Sequence, residues 1–420
     1  MIAPDINVPN SIKKDTLPLK VMKTAVDLKG FLFIGDPHIY SKTPGRRKDV
    51  SFFETILDKI HQAAVIANEN KLLPIFTGDL FHDDEEENNY ITNRMMRALR
   101  EFESKPITIV GNHEKTEWLL SEKNLLSVLE NSGCVDVISK NGFYGVFELV
   151  NENNERYRVA LGGTPYGLPI PYDLTEFIGL EGSSFRLEED RKIYLEAIER
   201  AKKSKSRGSI ALVTESAKMD SDETKHQEIL KAIECDEVVW LTHHDFAFEN
   251  AYPKSIPLHP IDGVGIMVNG HIHDTKKPVK VGLTACYNPG NITRLSIDTD
   301  KHIPAVWEWC PFDKQYMASA QGVRVPLLKQ IPLVVKDAKE IFNYEGRNAK
   351  VNILQEKDAD KANSIFVEML KQDQMTKKTD EGAFLRESIE EAYEKIKPKE
   401  EVKNIIDKLS YRVITERDIK

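Results

Sequence analysis

The chain has 420 residues, which at roughly 100 to 200 residues per domain predicts two or three domains. Apolar residues make up 40% of it and charged residues 30%, with 22 glycines and 20 prolines. These proportions are those of ordinary globular proteins, so collagen-like, low-complexity and wholly disordered chains are excluded.

Charge and cysteine content further limit the class of protein to which the chain can belong. The net charge of −9 argues against nucleic-acid binding through overall positive charge, so a polyanion would have to be held by metals, a local patch or a partner. The four cysteines are widely spaced, and neither a disulfide framework nor a thiolate zinc site is expected. No apolar stretch has the length of a membrane span, and the first residues lack the apolar core of a secretory signal. We therefore expect a cytoplasmic protein without a membrane anchor.

The first half of the chain repeats one structural unit. Residues 1–28 mix proline, lysine and aspartate without an apolar period, and we expect a mobile or loosely packed arm. From Phe31, an apolar run (FLFI), a polar turn (GDPH) and an apolar 3.6-residue period follow one another. The unit returns with LLPIF, GDLFH and a helix near 88–102, and again with ITIV, GNHE and a helix near 118–131. Successive strands with helical crossovers predict a layered α/β fold.

The segment after Cys134 is richer in strands. It contains VDVI, YGVFELV, YRVALGG, SIALVTE, EVVWLTHH, GVGIMVNGHIH and VKVGLTACYNPG, with helices expected near 187–203 and 223–233. This number of strands fits two packed sheets.

The C-terminal part has a different pattern, with two strands (IPLVV and AKVNIL) followed by three helices, over 359–370, 382–397 and 400–409. We place a domain boundary near residue 315. The expected division is an arm (1–28), a main domain (29–315), an α+β capping domain (316–376) and a helical partner-binding region (377–420).

Residues of metal-binding type fall directly after apolar strands, where a sheet presents side chains to a cleft. The segments that do this are Gly35–His38, Gly78–His82, Gly111–Glu114, Thr242–Asp245 and Gly270–His273. Most of these segments, taken alone, are more typical of an ordinary turn than of a functional site. For the best of them, the two interpretations are equally supported. The five together, in this order and each at a strand end, favour a functional site.

The ligand types indicate which ions would bind. In Asp-x-His, residues i and i+2 of an extended segment point to the same side and reach one ion, as Asp36 with His38 would. Carboxylate, amide and imidazole ligands without thiolate suit manganese, iron or zinc better than calcium. About seven such ligands exceed the needs of one ion, so two divalent ions that share a carboxylate are expected.

This ordered set resembles the calcineurin-like metallophosphoesterase superfamily from Phe31 to about Ile297. The resemblance implies an α/β fold, a four-layer α-β-β-α sandwich, with the small capping domain and C-terminal helices following it. It implies that His113 is the general acid beside two cations that share Asp79. The implied ligands are Asp36, His38, Asp79 and His273 for one cation, and Asp79, Asn112, His243 and His271 for the other.

Finer features resemble the nuclease subunit of SbcCD-type DNA repair complexes, including phage recombination endonucleases. His82, three residues after Asp79, matches that family's second active-site histidine, which contacts the scissile phosphate. The HHDF segment resembles the phage form and favours His243 over His244 as the ligand. The segment YNPGNITRLSI resembles the family's Tyr-x-Gly-Ser-x-x-Arg strand.

Three positions depart from the family pattern without removing a ligand. Pro37 stands inside Asp-x-His, Glu114 replaces the common Asp, and Asn291 stands where Ser is usual.

The resemblance implies a two-metal DNA exonuclease or endonuclease, with manganese as the favoured ion, in a bacterial or phage-infected cell. It also implies a homodimer whose C-terminal helices grip the coiled-coil base of an SbcC-like ATPase, although packing on their own domain stays open for these helices. A stand-alone metallophosphatase or cyclic phosphodiesterase is the alternative, against which His82 and the long C-terminal part argue. A metal-poor interaction scaffold on the same fold is disfavoured by the intact ligand set.

Overall fold

The computed structural model describes residues 17–44, 46–83, 89–114, 120–122, 124–180, 223–249, 255–313, 316–318 and 324–344. A first compact unit ends at Phe342, and the structure is described here within that unit. The helix expected near 187–203, the strand SIALVTE and the elements expected beyond residue 345 lie outside the described residues.

The described part contains strands and helices in the alternation that the sequence predicts. The strands are β1 Gly30–Ile34, β2 Leu72–Phe76, β3 Ile107–Ile109, β4 Asp136–Ile138, β5 Gly142–Val150, β6 Arg156–Thr164, β7 Glu237–Thr242, β8 Ile266–Asn269, β9 Lys276–Val281, β10 Thr284–Asn288, β11 Ala305–Trp309, β12 Tyr316–Ala318, β13 Arg324–Pro326 and β14 Lys329–Pro332. The α-helices are α1 Phe52–Asn70, α2 Asn89–Leu99, α3 Leu125–Asn131, α4 Glu223–Ile233 and α5 Ala338–Ile341.

Two six-stranded sheets form the centre of the fold. The first has the order β14-β11-β1-β2-β3-β4 and the second the order β5-β6-β7-β8-β10-β9. Neighbours from β1 to β4 are parallel, and so are those from β6 through β7 and β8 to β10. Antiparallel strands complete the edges of both sheets.

The alternation of side chains along β1 shows why the sheets stack with helices outside them. Phe31 and Phe33 belong to the apolar cluster that the two sheets share, whereas Leu32 and Ile34 pack in a second cluster with α1, α2 and α3. A third cluster lies on the outer face of the second sheet with α4. Successive strand residues point to opposite faces, so strands that are apolar on both faces must be covered on both. The predicted α-β-β-α sandwich is confirmed.

The register of the parallel strands sets the position of the loops that follow them. Ile34 at the end of β1 lies opposite Phe76 at the end of β2. In the second sheet, Thr242 at the end of β7 lies opposite Asn269 at the end of β8. The segments Asp36–His38, Gly78–His82, His243 and Gly270–His273 therefore leave their sheets as adjacent loops.

The described part of the N-terminal arm is packed, which differs from the loosely packed arm that the sequence predicts. The amide of Met22 donates to the carbonyl of Val146 at 2.8 Å, and the amide of Val150 donates to the carbonyl of Leu28 at 2.7 Å. Leu28 is 1% exposed within the cluster between the sheets. The composition of the arm does not reveal this pairing, because β5, with which the arm pairs, lies more than 100 residues away.

The first sheet extends past the boundary expected near residue 315. Strand β14 pairs with β11 along its length, with Ile331 opposite Val306. Lys59 of α1 also donates to the carbonyl of Val334 at 2.5 Å, which ties the chain after β14 to the helical layer. The division into a capping domain and a partner-binding region stays a prediction.

None of the helices that the structure describes is both long and apolar enough to cross a membrane.

The burial of the arm leads to a stability prediction. Leu28→Ala should lower the free energy of unfolding by about 2 to 5 kcal/mol, because it leaves a cavity between the sheets. Leu17→Ala is the matched control in the same arm, since Leu17 is 37% exposed, and it should change stability by less than about 0.5 kcal/mol. Urea denaturation followed by circular dichroism measures both. Equal effects of the two substitutions would mean that the arm does not pack in solution.

Candidate metal centre

All the side chains that the sequence predicts as ligands converge at the edge where the loops leave the two sheets. Two sets of three place one ligand atom per residue within 4.8 Å of one another. The first set is Asp36, His38 and His273; the second is Asp79, His243 and His271. We call these the first and second ligand groups. Each group is part of one of the two ligand sets that the family resemblance implies.

Asn112 joins the second ligand group through its side-chain oxygen. This Oδ1 atom lies 2.8 Å from Nδ1 of His271 and 3.2 Å from Nε2 of His243. Of the two adjacent histidines, His243 faces Asp79, whereas Nε2 of His244 lies 2.9 Å from the carbonyl of Leu168.

Asp79 stands between the two groups. Its Oδ2 atom is buried without a hydrogen bond, 3.1 Å from Nε2 of His243 and 3.8 Å from Nε2 of His38. A buried carboxylate oxygen that faces ring nitrogens from both groups has the position of a shared ligand.

The histidines direct ring nitrogens toward the centre, as a cation needs. Nδ1 of His243 donates to the carbonyl of Thr77 at 2.8 Å, which leaves Nε2 directed at Asp79 and Asn112. In the first group, Nε2 of His38 lies 3.0 Å from Nε2 of His273, a gap that holds at most one proton. The donor set and the orphaned oxygen of Asp79 therefore fit two divalent cations.

Burial and neighbouring charges leave most of the ring nitrogens in the site unprotonated and able to bind a cation. Burial lowers the pKa of His38 and His271 well below the usual range, so both rings are neutral at pH 7. Burial would raise the pKa of Asp79, but the surrounding histidines, His243 above all, hold it well below its usual range. Burial would also lower the pKa of His243, yet Asp79 and Asp36 raise it to about 10. A cation that binds there takes the place of this proton.

The backbone at three ligands adopts the left-handed region, which side chains other than glycine rarely enter. The φ angles are 49° at His38, 46° at Asp79 and 72° at His271. Such positions cost about 1 to 3 kcal/mol each and persist only where the surrounding structure fixes them. Gly111 shows how tight the site is, since a Cβ atom there would lie 2.1 Å from Oδ1 of Asp79.

Glu114, which the sequence marks only as a departure from the family, holds the loops together. Its carboxylate accepts hydrogen bonds from the amides of Asp79 at 3.1 Å, Gly111 at 2.7 Å and Leu80. The side chain is 1% exposed, and burial with the adjacent Asp79 charge raises its pKa to about 8. Its position directly after Asn112-His113 is the signal in the sequence, but two of the three amides that it binds, those of Asp79 and Leu80, belong to another loop.

Thr77 is a second positioning residue that sequence reasoning missed. Its hydroxyl donates to Oδ1 of Asp36 at 2.8 Å, and the amide of His271 donates to Oδ2 of the same carboxylate at 2.7 Å. Together with the carbonyl bond to His243, Thr77 contacts a ligand from each group. It immediately precedes the Gly78-Asp79 segment, where an apolar strand ends.

The two histidines predicted as catalytic lie beside the first group. The amide of His113 donates to Oδ1 of Asp79 at 2.9 Å, so its backbone is tied to the shared ligand. Its Nδ1 lies 2.6 Å from the carbonyl of His82 and donates to it, which directs Nε2 elsewhere. The rings of His82 and His113 stack at 5.1 Å, and with His38 they form a third set of ring nitrogens within 4.8 Å of one another.

The position of Asp79 leads to a prediction for metal binding. The protein should bind two manganese ions per chain, and Asp79→Asn should weaken the binding of both, because it removes charge from the shared ligand while it keeps the shape. Equilibrium dialysis with elemental analysis measures the stoichiometry. Asp27→Asn, at an exposed position of the arm, is the control. At most one ion per chain at saturating manganese, with Asp79→Asn unchanged, would refute the shared ligand.

A second prediction concerns Glu114. Glu114→Ala should lower the free energy of unfolding by about 3 kcal/mol or more, because each buried amide left without an acceptor costs about 1 to 3 kcal/mol. Metal affinity should fall with it, since Asp79 loses its support. Glu103→Ala, on the exposed surface, should leave both quantities unchanged. Denaturant titration of the metal-free protein tests the first part, and a normal unfolding free energy for Glu114→Ala would contradict the positioning role.

A comparison with protein families identifies the family of this chain. Residues 30–275 match the calcineurin-like phosphoesterase family. A search of curated proteins finds no match. Among solved structures, the chain is similar to a 5′-nucleotidase precursor from Thermus thermophilus at 13% identity and a TM-score of 0.37, covering 77% of this chain and 58% of that one. The chain thus spans less than two thirds of that protein's length.

A second solved structure, TT1561 of Thermus thermophilus, is similar at 7% identity and a TM-score of 0.34, covering 73% of this chain and 99% of that one. The family match covers more than half of the sequence and contains all the ligand loops described above. The chain belongs to the calcineurin-like phosphoesterase family, a family of metal-dependent phosphoester hydrolases.

Proposed function

We propose that the protein is a DNA nuclease that hydrolyses phosphodiester bonds with two divalent cations, preferably manganese. The observation that carries this proposal is the stacked pair of His82 and His113, because it places two imidazoles beside the first ligand group. A phosphoester has a non-bridging oxygen to bind and an ester oxygen to protonate, and two histidines serve these needs separately. The resemblance of His82 to the second active-site histidine of the nuclease family favours a diester.

The chain's own residues would hold the cations in the two ligand groups. The proposed ligands are Asp36, His38, Asp79 and His273 for one cation, and Asp79, Asn112, His243 and His271 for the other. Bound there, the cations would neutralise charge on the phosphate and activate a water molecule as the nucleophile.

His113 is the proposed general acid. Its Nδ1 proton is used in the bond to the carbonyl of His82, so the proton for the leaving oxygen is carried on Nε2. The amide bond to Asp79 fixes this ring relative to the shared ligand. The proton is thereby held at a constant position beside the scissile bond.

His82 is proposed to bind a non-bridging oxygen of the scissile phosphate. Its amide donates to the carbonyl of Ile39 at 2.9 Å, which secures the GDLFH loop against the loop of the first motif. Its ring is therefore positioned by two ligand loops, and this supports a role in substrate binding.

The proposal extends to the partner and to the assembly. An SbcC-like coiled-coil ATPase and a homodimer remain predictions from the family resemblance. The helices expected to carry the ATPase contact, within 377–420, lie outside the described residues.

His113→Gln tests the proposed mechanism. It should lower turnover of single-stranded DNA by roughly 10² or more, the contribution of a positioned acid, while two manganese ions still bind. His61→Gln, which alters a histidine on the exposed face of α1, is the control and should keep normal turnover.

The same assay, with a panel of substrates, decides between the proposed function and its alternative. Wild-type protein should hydrolyse DNA and bis(4-nitrophenyl) phosphate faster than 4-nitrophenyl phosphate. Efficient hydrolysis of the monoester with no cleavage of DNA would favour a stand-alone phosphatase. Near-normal turnover of DNA by His113→Gln would remove His113 from the mechanism.

A further inference from the structure

Two tyrosines contact the histidines of the candidate metal centre, one beside each ligand group. The ring of Tyr40 lies 4.6 Å from that of His82, which neighbours His38 of the first group. The ring of Tyr166 lies 5.5 Å from that of His271 in the second group, at an interplanar angle of 33°. Neither tyrosine is among the ligands.

Both tyrosines are held in place by backbone contacts to the ligand loops. The amide of Ile39, adjacent to Tyr40, donates to the carbonyl of Leu80 at 2.8 Å. The amide of Tyr166 donates at 3.0 Å to the carbonyl of Val110, which immediately precedes the Gly111-Asn112-His113 segment. The rings are therefore positioned by the same loops that carry the ligands.

The surroundings of the two rings are not those of core aromatic residues. Tyr40 and Tyr166 are both partly accessible, in contrast to Tyr287, which is 1% exposed between the sheets. An aromatic ring that remains partly accessible beside a polar centre offers a face to a flat ligand.

We propose that Tyr40 and Tyr166 are stacking platforms for the two nucleobases that flank the scissile phosphate, so that the substrate is a nucleic acid unpaired at this point. This inference rests on the proposed nuclease function. A phosphodiester has two ester arms, and an aromatic surface beside each ligand group matches two arms. A phosphomonoester has one arm and would leave one ring unused.

A basic side chain next to Tyr40 supports a polyanionic substrate. The ammonium of Lys42 lies over the Tyr40 ring, 5.9 Å from its centre, and this exposed lysine would move off the ring face when a base stacks there. A base on Tyr40 brings the next phosphate of the strand near this charge. Stacking on a tyrosine also requires an exposed base face. An intact duplex, in which the bases stack on one another, is therefore a disfavoured substrate.

The test compares a dinucleotide with two forms that each lack one base, the 5′ or the 3′. For the wild-type protein, loss of either base should raise KM roughly tenfold, since stacking on an aromatic side chain contributes about that much per base. Tyr40→Ala should raise KM for the complete dinucleotide by a similar factor. It should not raise KM for the abasic form that lacks the base stacked on Tyr40, because that contact is already lost. Tyr166→Ala should show the same relation with the other abasic form.

A matched control and three outcomes make the result decisive. Tyr90→Ala, at an exposed tyrosine of α2, should leave KM unchanged for all three substrates. The stacking role of the two tyrosines is refuted if the wild-type protein cleaves the complete and abasic forms with the same KM. It is also refuted if each tyrosine variant affects all three substrates equally. In both cases the nuclease proposal stands. If the wild-type protein hydrolyses phosphomonoesters but no dinucleotide or oligonucleotide, the proposed function itself fails.

Discussion

The arrangement of this site depends on the burial of one carboxylate, that of Asp79. Its side chain is 1% exposed, with Oδ1 bonded to the amide of His113 and Oδ2 facing Nε2 of His243 without a hydrogen bond. An ionised carboxylate in a dry interior is costly unless cations or hydrogen-bond donors surround it. Asp79 follows β2 of the first sheet, whereas His243 follows β7 of the second. The need to surround this charge therefore brings the ends of both sheets to one point.

The strained backbone of the ligand loops follows from the same constraint. Asp79 has a φ of 46°, and its carbonyl accepts the amide of His38, whose own φ is 49°. These conformations would relax in an isolated loop, but here the strands on either side are fixed by the apolar layer between the sheets. Glu114 adds a second restraint, because its carboxylate binds amides of two ligand loops. The strain is thus maintained by the packed sheets and one buried acid.

Sequence reasoning predicts those features that local patterns determine. Period-two and 3.6-residue patterns locate most described strands and helices, and α4 occupies the residues expected for it. The convergence of the proposed ligands could be predicted because each follows an apolar strand. Pairing between distant segments leaves no such pattern, so the packing of Leu28 and of β14 was not foreseen. The function of Glu114 was missed for the same reason, since the amides of Asp79 and Leu80 that it binds lie more than 30 residues away.

The charge of the chain limits how the site can recognise a phosphate. The protein has a net charge of −9, and the ionised carboxylate of Asp79 is buried within the site itself. Without cations, this field repels a phosphate, so affinity for the reacting group must come from bound metal ions. Cations attract every phosphate alike and do not distinguish one ester from another. Discrimination between substrates is consequently left to the other groups around the ligands, and under the proposed function the histidine and tyrosine rings beside the ligand groups would provide it.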